Sequence, residues 1–225
     1  MSEQLVLALV EAEAPAFSNY VVGPNAEAMT TLVRAASGTI GDSVLLWGAE
    51  GAGKTHLLRA YVAAAQAGGR DARYFASPAD VAAGDALAAV AVDDVDRADA
   101  AAEAKLFTLF NAVRARGGTF VAAAPLPAAR LALRDDLRTR LGWGLTLEIR
   151  LLADADKAAA LIAHARQRGF DLGDDVIAYL LAHGRRDMRS LTSTLAALDR
   201  HSLSTRRAIT VPLLRAWMAT ASLPP

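Results

Sequence analysis

The stretch Gly48-Ala49-Glu50-Gly51-Ala52-Gly53-Lys54-Thr55 has residue types and spacing suited to holding a phosphate. It follows the pattern G-x-x-x-x-G-K-T. In that pattern glycines let the chain curl until successive amides face phosphate oxygens, and the helix that follows adds partial positive charge at its N-terminus. The residues read as nucleotide-binding here are Gly48, Gly51, Ala52, Gly53, Lys54, Thr55 and His56. Lys54 is expected to reach the β- and γ-phosphates and Thr55 to place its hydroxyl on Mg²⁺. Such a loop needs an acidic strand end beside it, and the apolar run from Leu87 to Val92 turns acidic at Asp93-Asp94. A carboxylate at the end of a buried parallel strand faces the crevice where ligands of such sheets bind. Asp93 is therefore assigned to the Mg²⁺ shell and Asp94 to orienting an attacking water. The competing reading of Asp94 is a solvated loop acid beside Asp96 and Asp99.

The elements that must position these groups are legible as alternating periods. Ser43 to Trp47 reads as a buried strand, and Lys54 to Ala67 as a helix stopped by Gly68-Gly69. Further strand signals lie at Ala72 to Ala76, Ala89 to Asp93, Thr119 to Ala123 and Leu145 to Ile149, with a helix over Ala101 to Arg116. Within that helix Leu106, Phe107, Leu109, Phe110 and Val113 read as a packing face. Strands alternating with helices imply a parallel five-stranded sheet flanked by helices, an α/β architecture. After Arg150 the strand signal ceases. Helices are expected over Asp154 to Arg168, Asp174 to His183, Asp187 to His201 and Val211 to Ala219. The division read from this is a tail over 1–15, a nucleotide-binding α/β domain over 16–150 and a small all-helical domain over 151–225.

Composition excludes several classes. The 225 residues contain no cysteine, so neither disulfides nor cysteine metal sites can form. Equal numbers of basic and acidic side chains, 24 each, argue against a dedicated nucleic-acid binder. No stretch approaches the ~20 strongly apolar residues of a membrane span, and no Lys or Arg precedes the apolar run Leu5 to Val10, so a cytoplasmic protein without membrane contact is expected. His56, His164, His183 and His201 lie on different predicted elements and form no metal set. Trp47 and Trp143 read as core or interface aromatics, and Trp217 as an anchor of the last helix.

Phe17-Ser18-Asn19-Tyr20-Val21-Val22-Gly23-Pro24-Asn25 and the pair Asp93-Asp94 resemble the AAA+ ATPases, specifically the DnaA branch. The resemblance runs from Phe17 to near the C-terminus and implies an AAA+ module with a helical lid, binding ADP or ATP with Mg²⁺. It places Val21 and Val22 against the adenine. Asp136 to Gly144 is similar to the family segment carrying an arginine finger, with Arg140 in the finger position. Residues alone leave Arg140 a surface salt-bridge arginine among Arg130, Arg134 and Arg138; the resemblance implies a group that acts in trans on a neighbour's γ-phosphate. Arg189 matches the arginine that the family's lid turns toward the phosphates, its alternative being a helix-face ion pair with Asp187.

The segment Gln4-Leu5-Val6-Leu7-Ala8-Leu9 resembles the short motif that binds the bacterial sliding clamp, with Gln4, Leu5, Leu7 and Leu9 as its contacts. An extended peptide with alternating leucines suits a greasy groove. An edge strand or a frayed apolar end is the competing reading, and Ala8 departs from the motif, where proline is common. The sequence shows no DNA-binding helix-turn-helix segment of the DnaA type. The resemblance is therefore strongest to members of the branch that inactivate DnaA by stimulating its ATP hydrolysis, with DnaA and the clamp as partners, no sequence-specific DNA binding, and homo-oligomers open. A second departure is the apolar end of the fourth strand, Phe120 to Pro127, where the family usually keeps a polar residue for the hydrolytic water. Slow or absent turnover by this chain alone is expected. The rival readings are an autonomous AAA+ ATPase of the helicase-loader type and a DnaA-like DNA-binding accessory factor.

Overall fold

The computed structural model describes residues 14–41, 43–82, 87–205 and 207–221. The chain divides into two compact units, one spanning 15–151 and the other built from 152 onward. The tail positions Gln4, Leu5, Leu7 and Leu9 lie outside the described residues.

The first unit holds α1 (Ala26–Ala36), β1 (Val44–Trp47), α2 (Lys54–Ala67), β2 (Ala72–Phe75), β3 (Ala89–Val92), α3 (Ala100–Ala115), β4 (Thr119–Ala124), α4 (Asp135–Trp143) and β5 (Leu145–Glu148). The strands form one sheet in the order β2-β3-β4-β1-β5. All pairings are parallel, with Leu45 opposite Ala122 and Thr146. Period-two alternation sorts each strand between two cores. Leu45, Val90, Val92 and Phe120 face α3 and α4, where they meet Leu106, Leu109, Phe110, Leu137 and Leu141. Val44, Leu46, Ala91 and Val121 face α1 and α2, where they meet Leu32, Leu57, Leu58 and Tyr61. Each fully buried Leu contributes about 1.5–3 kcal/mol by leaving water. Burial pushes the Tyr61 phenol up to about 12, so its hydroxyl stays a donor and reaches the Thr119 carbonyl at 3.2 Å.

Side-chain hydrogen bonds order the backbone that follows β5 and the start of α3. Asn25, 3% exposed, exchanges hydrogen bonds with the backbone of Arg150: the Arg150 amide donates to Oδ1 at 2.8 Å, and Nδ2 donates to the Arg150 carbonyl at 3.0 Å. On the opposite flank Asp99 caps α3 by accepting the Ala102 amide at 2.8 Å, satisfying a donor that the first helical turn leaves free.

The second unit comprises α5 (Asp154–Gln167), α6 (Asp174–His183), α7 (Met188–Thr205) and α8 (Val211–Ala221). Leu161, Leu180, Leu191, Leu195, Leu198 and Leu214 form its core. Asp199 anchors Arg168 across it at 3.1 Å. Among the described residues no helix is long and apolar enough to cross a membrane.

Candidate nucleotide site

β1 ends at Trp47, and the loop from Gly48 to Gly53 carries the chain into α2 at Lys54. The loop is forced through glycine-only conformations. Gly48 has φ +148°, and a Cβ there would lie 2.2 Å from the Ile149 carbonyl oxygen. Gly51 has φ +77°, and a Cβ there would meet nothing within 4 Å, so that side of the loop is open. Among the described residues the amides of Gly51, Gly53, Lys54 and Thr55 donate to no backbone carbonyl, whereas Ala52 donates to Ala49 at 3.3 Å. A curled loop with free amides at a helix N-terminus is an anion cradle, and its residues fit a nucleotide phosphate.

Lys54 lies in this cradle. Its ammonium donates to the carbonyls of Gly48 and Ala49 at 2.7 and 2.9 Å. Burial draws its pKa below the usual lysine range, against the pull of Asp93 and Asp94. A phosphate entering the loop competes with those two carbonyls for the ammonium.

Asp93, 5% exposed, directly follows β3. Its Oδ2 accepts the Thr55 hydroxyl at 2.6 Å, and its Oδ1 accepts the Asp94 amide at 3.1 Å. The Thr55 hydroxyl donates its one proton to Asp93, which leaves its oxygen lone pairs free for a cation. Asp94 takes the left-handed region at φ 48° and pairs with Arg97 at 3.3 Å. Its carboxyl is held above the usual range by burial and then by the neighbouring Asp93 charge.

The N-terminal segment leans on the loop from outside. The Tyr20 ring lies 3.0 Å from where a Gly53 Cβ would stand, and its centroid is 5.5 Å from that of His56. The His56 Nε2 lies 3.0 Å from the Ala16 carbonyl oxygen. Tyr20 also accepts Asn25 Nδ2 at 3.2 Å. Val21 and Val22, half-buried, follow in the same segment. Tyr20, Asn25 and His56 thus tie this segment to the loop, with Val21 and Val22 held between the first two.

The structure separates Arg140 from Arg134 and Arg138. Arg134 pairs with Asp136 at 2.8 Å and Arg138 with Asp135 at 2.7 Å. Arg140 pairs with no carboxylate among the described residues. Its guanidinium carbon lies 4.0 Å from the Phe107 ring centroid and 5.4 Å from that of Trp143, and Nε donates to Asn111 Oδ1 at 3.0 Å. Trp143 is 59% exposed, a surface aromatic rather than a core one. On α7 Arg189 is exposed, and Asp187 pairs instead with Arg185 at 3.6 Å and accepts the Ser190 amide at 2.9 Å. Sequence reasoning missed Tyr74, whose hydroxyl donates to Asp93 Oδ2 at 3.2 Å, and the Phe107–Asn111 seat of Arg140. The only signal for either was a polar or aromatic residue in the pattern of an apolar element.

A parallel five-stranded sheet with a glycine-rich loop after its first strand, followed in sequence by a helical domain, is an AAA+ fold. The chain superposes on a DnaA replication initiator, described as bound to AMPPCP and single-stranded DNA, with TM-score 0.71 at 22% identity, over 82% of this chain and 64% of that one. Domain III of Thermotoga maritima DnaA matches with TM-score 0.75 at 18% identity, over 93% of this chain and 97% of that one. A mutant of Thermotoga maritima RuvB matches with TM-score 0.67 at 16% identity, over 92% of this chain and 72% of that one. The chain thus spans a little under two thirds of the first DnaA chain's length, 64%. Residues 154–218 match the family described as "Hda, lid domain". The chain is thus similar in fold to the AAA+ domains of DnaA, and its residues 154–218 to the Hda lid.

Proposed function

We propose that this chain binds an adenine nucleotide in the loop from Gly48 to Thr55 and regulates replication initiation by acting on ATP-bound DnaA. Lys54 and the free amides hold the phosphates, Thr55 and Asp93 hold Mg²⁺, and Val21 and Val22 flank the base. Mg²⁺ neutralises phosphate charge when bound. Arg140 is supplied in trans to the triphosphate on DnaA, and Gln4, Leu5, Leu7 and Leu9 tether the chain to the sliding clamp. Arg189 couples the lid to the phosphates. The site of action is the cytoplasm.

The observation that carries the trans role is the state of Arg140. Arg134 and Arg138 spend their charge on local carboxylates, while Arg140 is seated on Phe107 and Asn111 and pairs with no carboxylate among the described residues. A pre-ordered guanidinium without a counter-ion is available for phosphoryl oxygens at little ordering cost. The lid match to Hda and the DnaA-like fold support the same partner. The apolar end of β4 supports a chain that lends its arginine rather than turning over quickly itself.

The test is a reconstituted hydrolysis assay with ATP–DnaA and clamp loaded on DNA. Arginine fingers contribute ~10³ to 10⁵ in rate. Arg140→Ala should therefore remove most of the stimulation, and Arg140→Lys should restore little of it, because a point charge lacks the planar fork. Unchanged stimulation by Arg140→Ala refutes the assignment. Loss of clamp retention on deleting residues 1–10 tests the tail.

A further inference from the structure

We infer that Tyr74 is a positioning residue for the magnesium–nucleotide complex, acting through Asp93. The inference rests on the nucleotide site proposed above and extends it to a strand that the sequence motif does not reach.

Tyr74 sits on β2, an edge strand, opposite Ala91 of β3. Strand alternation sends its side chain to the face covered by α2, where the ring packs against the core and Arg59 places its guanidinium carbon 4.8 Å from the ring centroid. From there the hydroxyl reaches Asp93 Oδ2, just past the end of the neighbouring β3, at 3.2 Å. That is the oxygen that accepts the Thr55 hydroxyl at 2.6 Å.

Asp93 is therefore held by three donors: Tyr74 and Thr55 on Oδ2, and the Asp94 amide on Oδ1. A carboxylate gripped at both oxygens cannot rotate about its last bond without losing a hydrogen bond in a buried site, where an unmade bond is costly. Its fixed orientation in turn fixes the Thr55 hydroxyl, with the proton toward Asp93 and the lone pairs left free to hold a cation. The relay runs from phenol to carboxylate to hydroxyl to metal. Such outer partners commonly change metal affinity 10- to 100-fold when removed. Tyr74 is the one partner of Asp93 in this relay that lies outside both the loop and the acidic pair.

The experiment is ADP binding by titration calorimetry with Mg²⁺ and with EDTA, comparing the wild-type chain with Tyr74→Phe. Phenylalanine keeps the ring packing and the Arg59 stacking and removes the hydroxyl with its bonds to Asp93 and Arg59. The expected result is Mg²⁺-free affinity unchanged and the Mg²⁺-dependent gain in affinity reduced roughly tenfold. In an Asp93→Asn background the same substitution should have no further effect, because Tyr74 acts through Asp93. A Mg²⁺-dependent gain equal to that of the wild type, or a full effect of Tyr74→Phe when Asp93 is already replaced, overturns the inference and leaves the nucleotide site standing. Absence of any ADP binding by the wild-type chain overturns the site and this inference together.

Discussion

Replacing Gly48 by alanine tests whether the loop from Gly48 to Gly53 is shaped by the sheet or by its own sequence. A methyl group on Gly48 would stand 2.2 Å from the Ile149 carbonyl oxygen, and that carbonyl belongs to backbone pinned by the Ile149 amide's bond to Trp47 at 2.7 Å. The clash cannot be relieved by a side-chain rotation. It forces β5 away from the end of β1 or drags the loop out of its curl. Holding a non-glycine residue at φ +148° adds about 1–3 kcal/mol of strain, and the overlap adds about 1–3 kcal/mol as overpacking. The expected loss is about 2–6 kcal/mol, a large share of the ~5–15 kcal/mol that holds a domain together. Gly51→Ala is the internal control: its φ of +77° carries a left-handed penalty of about 1–2 kcal/mol, but a Cβ there meets nothing within 4 Å. Urea denaturation followed by circular dichroism should therefore rank wild type above Gly51→Ala above Gly48→Ala. If Gly48→Ala is as stable as Gly51→Ala, the close approach to Ile149 does not shape the loop.

Other substitutions probe separate parts of the account. Thr55→Val, which deletes the hydroxyl bonded to Asp93, should reduce Mg²⁺-dependent nucleotide affinity about tenfold or more, read by calorimetry against a Mg²⁺-free control. Asn25→Ala removes both hydrogen bonds to the Arg150 backbone and should cost about 1–3 kcal/mol in urea denaturation. In the helical unit Arg186 donates to Asp154 at 2.7 Å and holds that carboxyl below its ordinary 3.8. A carboxyl with a lowered folded pKa stabilises above its unfolded pKa and loses that contribution as pH falls through the folded value. Arg186→Gln should thus be less stable than wild type above about pH 4 and equal to it in stronger acid, with the gap, read by urea denaturation across pH, shrinking at high salt.

What the sequence disclosed was local. The β1–loop–α2 unit was legible because its signal is contiguous: an apolar run, glycines, then helical spacing from Lys54 to Ala67. The other four strands were legible as short apolar runs and lie within a residue of their expected bounds. α4 was not recognised as a helix because its apolar stripe is only Leu137 and Leu141, and Gly142 weakens the local propensity. α1 was missed for a related reason: Ala28, Ala35 and Ala36 form most of its buried face and barely register as a stripe. At the site, Asp93 could be placed from a strand end. Tyr74 could not, since its partner is 19 residues away and joins it only through the β2–β3 register. The same holds for Arg140. Four arginines in eleven residues look alike until the fold pairs Arg134 and Arg138 with local acids and stacks Arg140 on Phe107.

The most direct test of the account is titration of the purified chain with ADP and ATP, alongside Lys54→Ala. The free amides of Gly51, Gly53, Lys54 and Thr55 and the Lys54 ammonium predict saturable adenine-nucleotide binding at one site per chain. Loss of the charge-assisted contacts in Lys54→Ala should weaken it about 10- to 100-fold. No heat of binding with either nucleotide, or equal affinity in the Lys54→Ala chain, would contradict it.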